Sequence, residues 1–176
     1  MTHADPGQVE LLLLDVDGVL SDGSIIYGDR GQELKAFNTK DGFGLSLWRQ
    51  AGGQIAIVTG RGGEAVQRRA KELGIEIVIE GSKDKAEAVT RVFRRTRVER
   101  HRMAFVGDDW PDLRAMRVVG YPIATADAEP EVRAAAAYVT ERPGGHGAVR
   151  DAVMHLLVAR DGGETVRGLL ARYDPS

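Results

Sequence analysis

Short, almost purely aliphatic runs recur along this 176-residue chain, and each gives way to a turn or to a stretch whose apolar residues fall three and four apart. The runs are residues 9–16, Gln54–Val58, 76–79, 103–106 and 118–123; the helical stretches are 44–51, Glu64–Leu73, Lys85–Thr96 and 111–116. A strand that is apolar at consecutive positions has no face left for water, so both of its faces must be covered. Alternating such strands with amphipathic helices points to an α/β, Rossmann-like fold, a mainly parallel sheet flanked by helices. One stretch breaks the rhythm. Residues 24–27, the turn-like Gly28-Asp29-Arg30-Gly31 and residues 32–37 read as a β-hairpin inserted after the first strand, an accessory flap. The length suits one core rather than two. The expected organisation is a flexible N-terminal tail (1–8), a single domain (9–160) and a C-terminal tail (161–176).

Composition limits the chemistry. There is no cysteine, which excludes disulfides, thiolate metal sites and cysteine nucleophiles, so oxygen and nitrogen must do the work. Acid and base nearly balance at a net charge of −2, leaving neither the basic footprint of a nucleic-acid binder nor an acidic tail. No apolar run approaches the ~20 residues of a membrane helix. The opening residues lack the basic start and apolar middle of a secretory signal. A cytoplasmic protein with no nucleic-acid or membrane partner is expected.

In open parallel sheets, ligands bind beyond the carboxyl ends of the strands. The polar residues that follow the runs should therefore converge: Asp15 and Asp17, Thr59-Gly60-Arg61, and Asp108-Asp109. Asp15 and Asp17, two positions apart, can face the same side as the chain leaves the sheet, with Gly18 allowing a tight turn behind them. One carboxylate suits attack on phosphorus, and the other suits giving and taking a proton. Asp15, nearer the rigid strand, is the better nucleophile. A polar loop capping a strand is the plainer reading of this motif. A calcium loop does not fit, because the glycine and the closing glutamate are misplaced for it.

The Thr59-Gly60-Arg61 turn leads into a helix and offers a hydroxyl and free N–H groups to a phosphate oxygen. Arg61 and Arg69 can add charge-assisted contacts to an acidic substrate, although solvated arginines are the ordinary case. Lys85 sits where a helix dipole disfavours a cation, a placement that makes sense beside a phosphoryl group; Lys83 competes for that role. Asp15 and Asp108 suffice as side-chain ligands for Mg2+, with the main-chain carbonyl of Asp17 completing the protein's share. Asp112, and with it Asp109, would orient the ligands from behind. A solvated acidic loop is the alternative.

In order and spacing these four segments resemble the four motifs of the haloacid dehalogenase superfamily of phosphotransferases. Within it, the hairpin and the overall length resemble the small-capped sugar-acid phosphatases, especially those acting on 3-deoxy-D-manno-octulosonate 8-phosphate. The likeness runs from about Leu11 to Val158 and includes Asp22-Gly23-Ser24, Glu33-Leu34-Lys35-Ala36-Phe37-Asn38, Asp41-Gly42-Phe43-Gly44 and Gly144-Gly145-His146-Gly147. The resemblance implies phosphorylation of Asp15, acid/base work by Asp17, a phosphoryl group held by Thr59 and Lys85, and magnesium on Asp108. It also implies substrate contacts from Asn38, Thr39, Lys40, Asp41, Gly42, Gly60, Arg61 and Arg69. A homotetramer in which a neighbouring subunit closes each site is implied as well. Lys40 departs from the arginine common at that position, replacing a bidentate fork with a point charge. Two other readings are a phosphatase for a nine-carbon, sialic-acid-like 9-phosphate and a non-catalytic module of the same fold. Retention of both Asp15 and Asp17 argues against the latter.

Overall fold

Six parallel strands form the central sheet of the computed structural model, which describes residues 3–174. Met1, Thr2, Pro175 and Ser176, the ends of the two expected tails, lie outside the described residues. In chain order the elements are β1 (Leu11–Leu14), β2 (Ile26–Tyr27), β3 (Glu33–Leu34), α1 (Thr39–Gln50), β4 (Gln54–Val58), α2 (Glu64–Leu73), β5 (Ile77–Ile79) and α3 (Lys85–Thr96). They continue as β6 (Met103–Gly107), α4 (Leu113–Met116), β7 (Tyr121–Ala124), α5 (Pro130–Ala135), β8 (Tyr138–Val139), α6 (Ala148–Asp161) and α7 (Glu164–Leu170). The sheet order is β5-β4-β1-β6-β7-β8. From β1 the chain works outward on one side through β4 and β5, then crosses back to build the other side from β6. That reversal opens a crevice at the carboxyl end of β1.

The alternation of β1 explains the two cores. Leu12 and Leu14 face a layer containing Leu45, Trp48, Val66, Val153 and Leu156, from α1, α2 and α6. Leu11 and Leu13 face the opposite layer, with Val89, Val92, Met116 and Val132 from α3, α4 and α5. All four leucines are fully buried, so the consecutive leucines are a strand with helices on both faces.

Several boundaries differ from the sequence expectation. Helix α1 begins at Thr39 rather than near 44, because Asn38 caps it by accepting the Lys40 N–H at 2.8 Å. Its first turn is polar and ends on Gly42, which hides it from an apolar-spacing rule. Residues 118–120 are not strand. The Val118 and Gly120 N–H groups bond to Ala115 and Arg100 carbonyls, closing the turn after α4 before β7 begins. Helices α5, α6 and α7 and the short strand β8 were not foreseen. Residues Pro6–Gln8 form a 3-10 turn capped by Asp5, and the Arg160 side chain of α6 donates to the Val9 carbonyl. Strands β2 and β3 pair antiparallel, with Ile26 opposite Leu34 and Tyr27 opposite Glu33. Among the described residues no helix is long and apolar enough to cross a membrane.

Candidate active site

Asp15 and Asp17 leave the end of β1, Thr59 to Arg61 leave β4, Asp108 and Asp109 leave β6, and Lys85 opens α3. These residues, with Gly18, Gly23, Ser82 and Asp112, line one open cleft of about 310 Å³ at the carboxyl edge of the sheet. Parallel pairing does the positioning: Leu14 is in register with Ile57 on one side and Val106 on the other, and the Asp15 N–H still bonds to the Val106 carbonyl at 3.1 Å. The residues that follow the three strands therefore leave the sheet side by side.

At the centre lies Lys85, almost fully buried, with Nζ 2.7 Å from Asp15 Oδ2 and 2.5 Å from Asp112 Oδ1. Lys83 is exposed and does not line the cleft, whereas Lys85 does. Asp112 has both oxygens engaged, the second by the N–H groups of Asp108 at 3.0 Å and Asp109 at 3.4 Å. It braces the cluster from behind. Asp109 is exposed and accepts the Trp110 N–H at 2.7 Å, starting the turn that delivers Asp112.

Asp15 Oδ1 and Asp108 Oδ1, by contrast, are buried and have no hydrogen-bond partner. Carboxylate oxygens of Asp15, Asp108 and Asp112 all lie within 4.8 Å of one another. Three carboxylates against one ammonium leave a formal charge of −2 in a buried corner. Hard oxygen donors, two of them orphaned, with a residual double negative charge, fit a divalent cation such as magnesium. Gly18 is needed for this corner. It has φ +79°, and a Cβ there would fall 2.0 Å from Asp108 Oδ2. Gly144 approaches from the far loop, where a Cβ would meet the Gly18 carbonyl at 1.8 Å, so that loop buttresses the Asp15–Gly18 turn.

The electrostatics follow from burial. Desolvation, reinforced by Asp112, raises the Asp15 carboxyl to about 6 despite Lys85. Desolvation followed by Asp112 and Asp15 raises Asp108 to about 8. Burial alone would lower the Lys85 ammonium, but Asp15 and Asp112 together outweigh it and its pKa is raised. Thr59 is buried, and its Oγ1 accepts the Arg61 N–H at 3.2 Å, holding the turn closed beside the cleft.

The remaining expected residues are placed elsewhere. Asn38, Thr39, Lys40, Asp41, Gly42 and Arg69 do not line the cleft of their own chain. Asp41 is buried and accepts the Gly147 and Arg150 N–H groups at 3.1 and 2.9 Å, holding the start of α6. Arg69 donates to the Asn38 carbonyl at 3.2 Å and packs its guanidinium 5.7 Å from the Phe37 ring centre. Gly42 leaves room for it, since a Cβ there would lie 2.4 Å from an Arg69 nitrogen. Sequence reasoning missed Ser82, whose N–H bonds to the Thr59 carbonyl, and Lys35, which bonds to Asp17 from the hairpin. The available signal for Lys35 was its two-residue spacing from Glu33, which puts both on one face of a strand.

Residues 75–150 match the haloacid dehalogenase-like hydrolase family. Over 161 residues the chain is 40% identical to a 3-deoxy-D-manno-octulosonate 8-phosphate phosphatase of Yersinia pestis, covering 92% of this chain and 86% of that protein. The Escherichia coli K12 protein of the same name is 42% identical over 152 residues, 86% of this chain and 81% of that one. Among solved structures, the Moraxella catarrhalis phosphatase of that name, in complex with a magnesium ion, a phosphate ion and a KDO molecule, aligns with a TM-score of 0.90 at 40% identity. That alignment covers 94% of this chain and 95% of the other. A cobalt-bound deoxy-D-mannose-octulosonate 8-phosphate phosphatase of Haemophilus influenzae aligns at 0.89 with 32% identity, covering 94% and 99%.

The raised carboxyls give a signed pH dependence. Without a cation, the folded chain holds protons on Asp15 and Asp108 that the unfolded chain has already lost, so stability falls as pH rises through about 6 and then about 8. A cation bound there displaces those protons. Apparent magnesium affinity, measured by titration calorimetry, is expected to rise across that window, with proton release visible as a dependence of heat on buffer. A pH-independent affinity without proton release would contradict the assignment of the site.

Proposed function

Because this chain belongs to the 3-deoxy-D-manno-octulosonate 8-phosphate phosphatase family of the haloacid dehalogenase-like hydrolases, we propose a division of labour among its own residues. The enzyme is a magnesium-dependent phosphomonoesterase that releases the free sugar acid and phosphate from 3-deoxy-D-manno-octulosonate 8-phosphate. The observation that carries the reading is the pair of orphaned oxygens on Asp15 and Asp108 beside a buried, charged Lys85.

A carboxylate oxygen of Asp15 attacks phosphorus, and the bond to the sugar C8 oxygen breaks. Asp17 gives its proton to that departing oxygen. It then takes a proton from the water that attacks the aspartyl phosphate, so phosphate leaves and Asp15 is regenerated. Lys85 and the Thr59-Gly60 turn hold the phosphoryl oxygens. Asp15 and Asp108 would hold magnesium, with the Asp17 carbonyl; bound there, it offsets the cluster's charge and polarises the phosphoryl group. Asp112 keeps Lys85 and the β6 turn fixed throughout. Arg61, half-exposed at the cleft, is available to an acidic substrate.

The cleft is open, and the other candidate substrate residues lie outside its walls, which supports closure by neighbouring subunits of a homotetramer. The exposed apolar residues Ile26 and Leu34, paired across the hairpin, support the same reading, since exposed apolar surface commonly marks an interface. A cytoplasmic setting completes the proposal.

Comparing kcat/KM across the eight-carbon substrate, a nine-carbon sugar-acid 9-phosphate and glucose 6-phosphate, with magnesium and with chelator, tests the function. The eight-carbon substrate is expected to lead, and chelation to abolish turnover. A nine-carbon lead would transfer the assignment to the alternative, and equal values would refute sugar-acid selectivity. Light scattering during size exclusion is expected to give four times the 19.1 kDa chain mass. A fully active monomer would contradict the assembly.

A further inference from the structure

The two carboxylate oxygens of Asp17 are not equivalent. Oδ1 accepts from Lys35 Nζ, which reaches in from the end of the β2–β3 ribbon, and from the Ser21 hydroxyl at 3.4 Å. Oδ2 accepts no hydrogen bond among the described residues and faces Arg61 at 3.9 Å, beyond hydrogen-bond distance. Glu33 closes a ring of four charges, with one oxygen 2.8 Å from Lys35 Nζ and the other 3.0 Å from the Arg61 guanidinium.

The members of this ring differ in burial. The Lys35 side chain is 2% exposed, whereas that of Arg61 is 47% exposed. Exposed ion pairs contribute little, but removing one partner of a buried pair leaves an uncompensated charge. The two contacts of Lys35, with Asp17 and with Glu33, are therefore the ones with energetic consequence. Burial alone would lower the Lys35 ammonium, yet Asp17 and Glu33 outweigh it and its pKa is raised, so the cation persists. Asp17 and Arg61 line the catalytic cleft, but Lys35 and Glu33 do not, so Lys35 stands behind the acid/base rather than beside the phosphate.

We propose that Lys35 is the positioning residue for Asp17: by occupying Oδ1 from the hairpin, it leaves Oδ2 as the oxygen that exchanges the proton and fixes the direction in which it points. The placement of the β2–β3 ribbon is thereby tied to both proton transfers. This rests on the acid/base role given to Asp17 above.

The test uses the full-length enzyme with magnesium and two variants, Lys35→Met and the Glu33→Gln/Lys35→Met pair. The pair removes the carboxylate that the single change strands opposite Asp17. Both are compared with wild type on the sugar-acid phosphate and on p-nitrophenyl phosphate, whose leaving group departs without a proton. On the sugar-acid phosphate, kcat is expected to fall about 10- to 100-fold, the scale of a misdirected catalytic group, with KM changed far less. On p-nitrophenyl phosphate the first turnover should stay near the wild-type rate, and later turnovers should slow as aspartyl phosphate waits for its water, giving a burst. A folded double variant with wild-type kcat would overturn the inference. So would a first turnover that falls as much as the steady state, because that is the signature of a loosened fold. Failure of the wild type to release phosphate from either substrate would instead remove the role of Asp17, and this inference with it; normal wild-type turnover with unaffected variants removes the inference alone.

Discussion

One ammonium group, Lys85, sits among carboxylates that would otherwise repel each other out of the protein interior, and the architecture around it keeps them there. Ions taken out of water cost several kcal/mol each unless they are closely paired and hydrogen-bonded. The chain meets that cost with structure. Adjacent parallel strands deliver Asp15 and Asp108, the start of α3 delivers Lys85, and the turn after β6 brings Asp112 into contact with Lys85 and with the N–H groups behind it. What remains is a deficit of two positive charges and two oxygens without partners, which together specify a small, hard dication. With that cation in place the cluster is formally neutral, so a phosphate dianion can approach a carboxylate nucleophile without net repulsion.

The parts of the site readable in the sequence are those fixed by strand ends. Asp15, Thr59 and Asp108 each follow a run of buried aliphatic residues, and parallel register makes such positions neighbours whatever the intervening helices do. Lys85 was readable for a related reason, as a cation at a helix start where the backbone does not favour one. The hidden parts depend on tertiary contact. The first turn of α1 carries Asp41 and Gly42, whose meaning emerges only when α6 and Arg69 pack against them. Lys35 looks like an ordinary strand lysine until the fold brings it onto Asp17, beyond the end of β1. Strand β8, two residues long, has too little pattern to register at all.

The hairpin therefore has two faces with different chemistry. Glu33 and Lys35 turn inward to the charged ring around Asp17, while Ile26 and Leu34, paired across the ribbon, are about half exposed. A single element thus carries an exposed apolar pair on one side and, on the other, the lysine that meets Asp17.

Trapping the covalent intermediate tests the central claim most directly. The enzyme with magnesium is mixed with 3-deoxy-D-manno-octulosonate 8-phosphate, quenched in acid within a turnover, reduced with borohydride and mapped by peptide mass spectrometry. The expected result is conversion of Asp15 to homoserine, the reduction product of an acyl phosphate, with no such conversion at Asp17, Asp108 or Asp112 and none when substrate is omitted. Modification at any other aspartate, or efficient phosphate release with Asp15 never modified, would contradict the account.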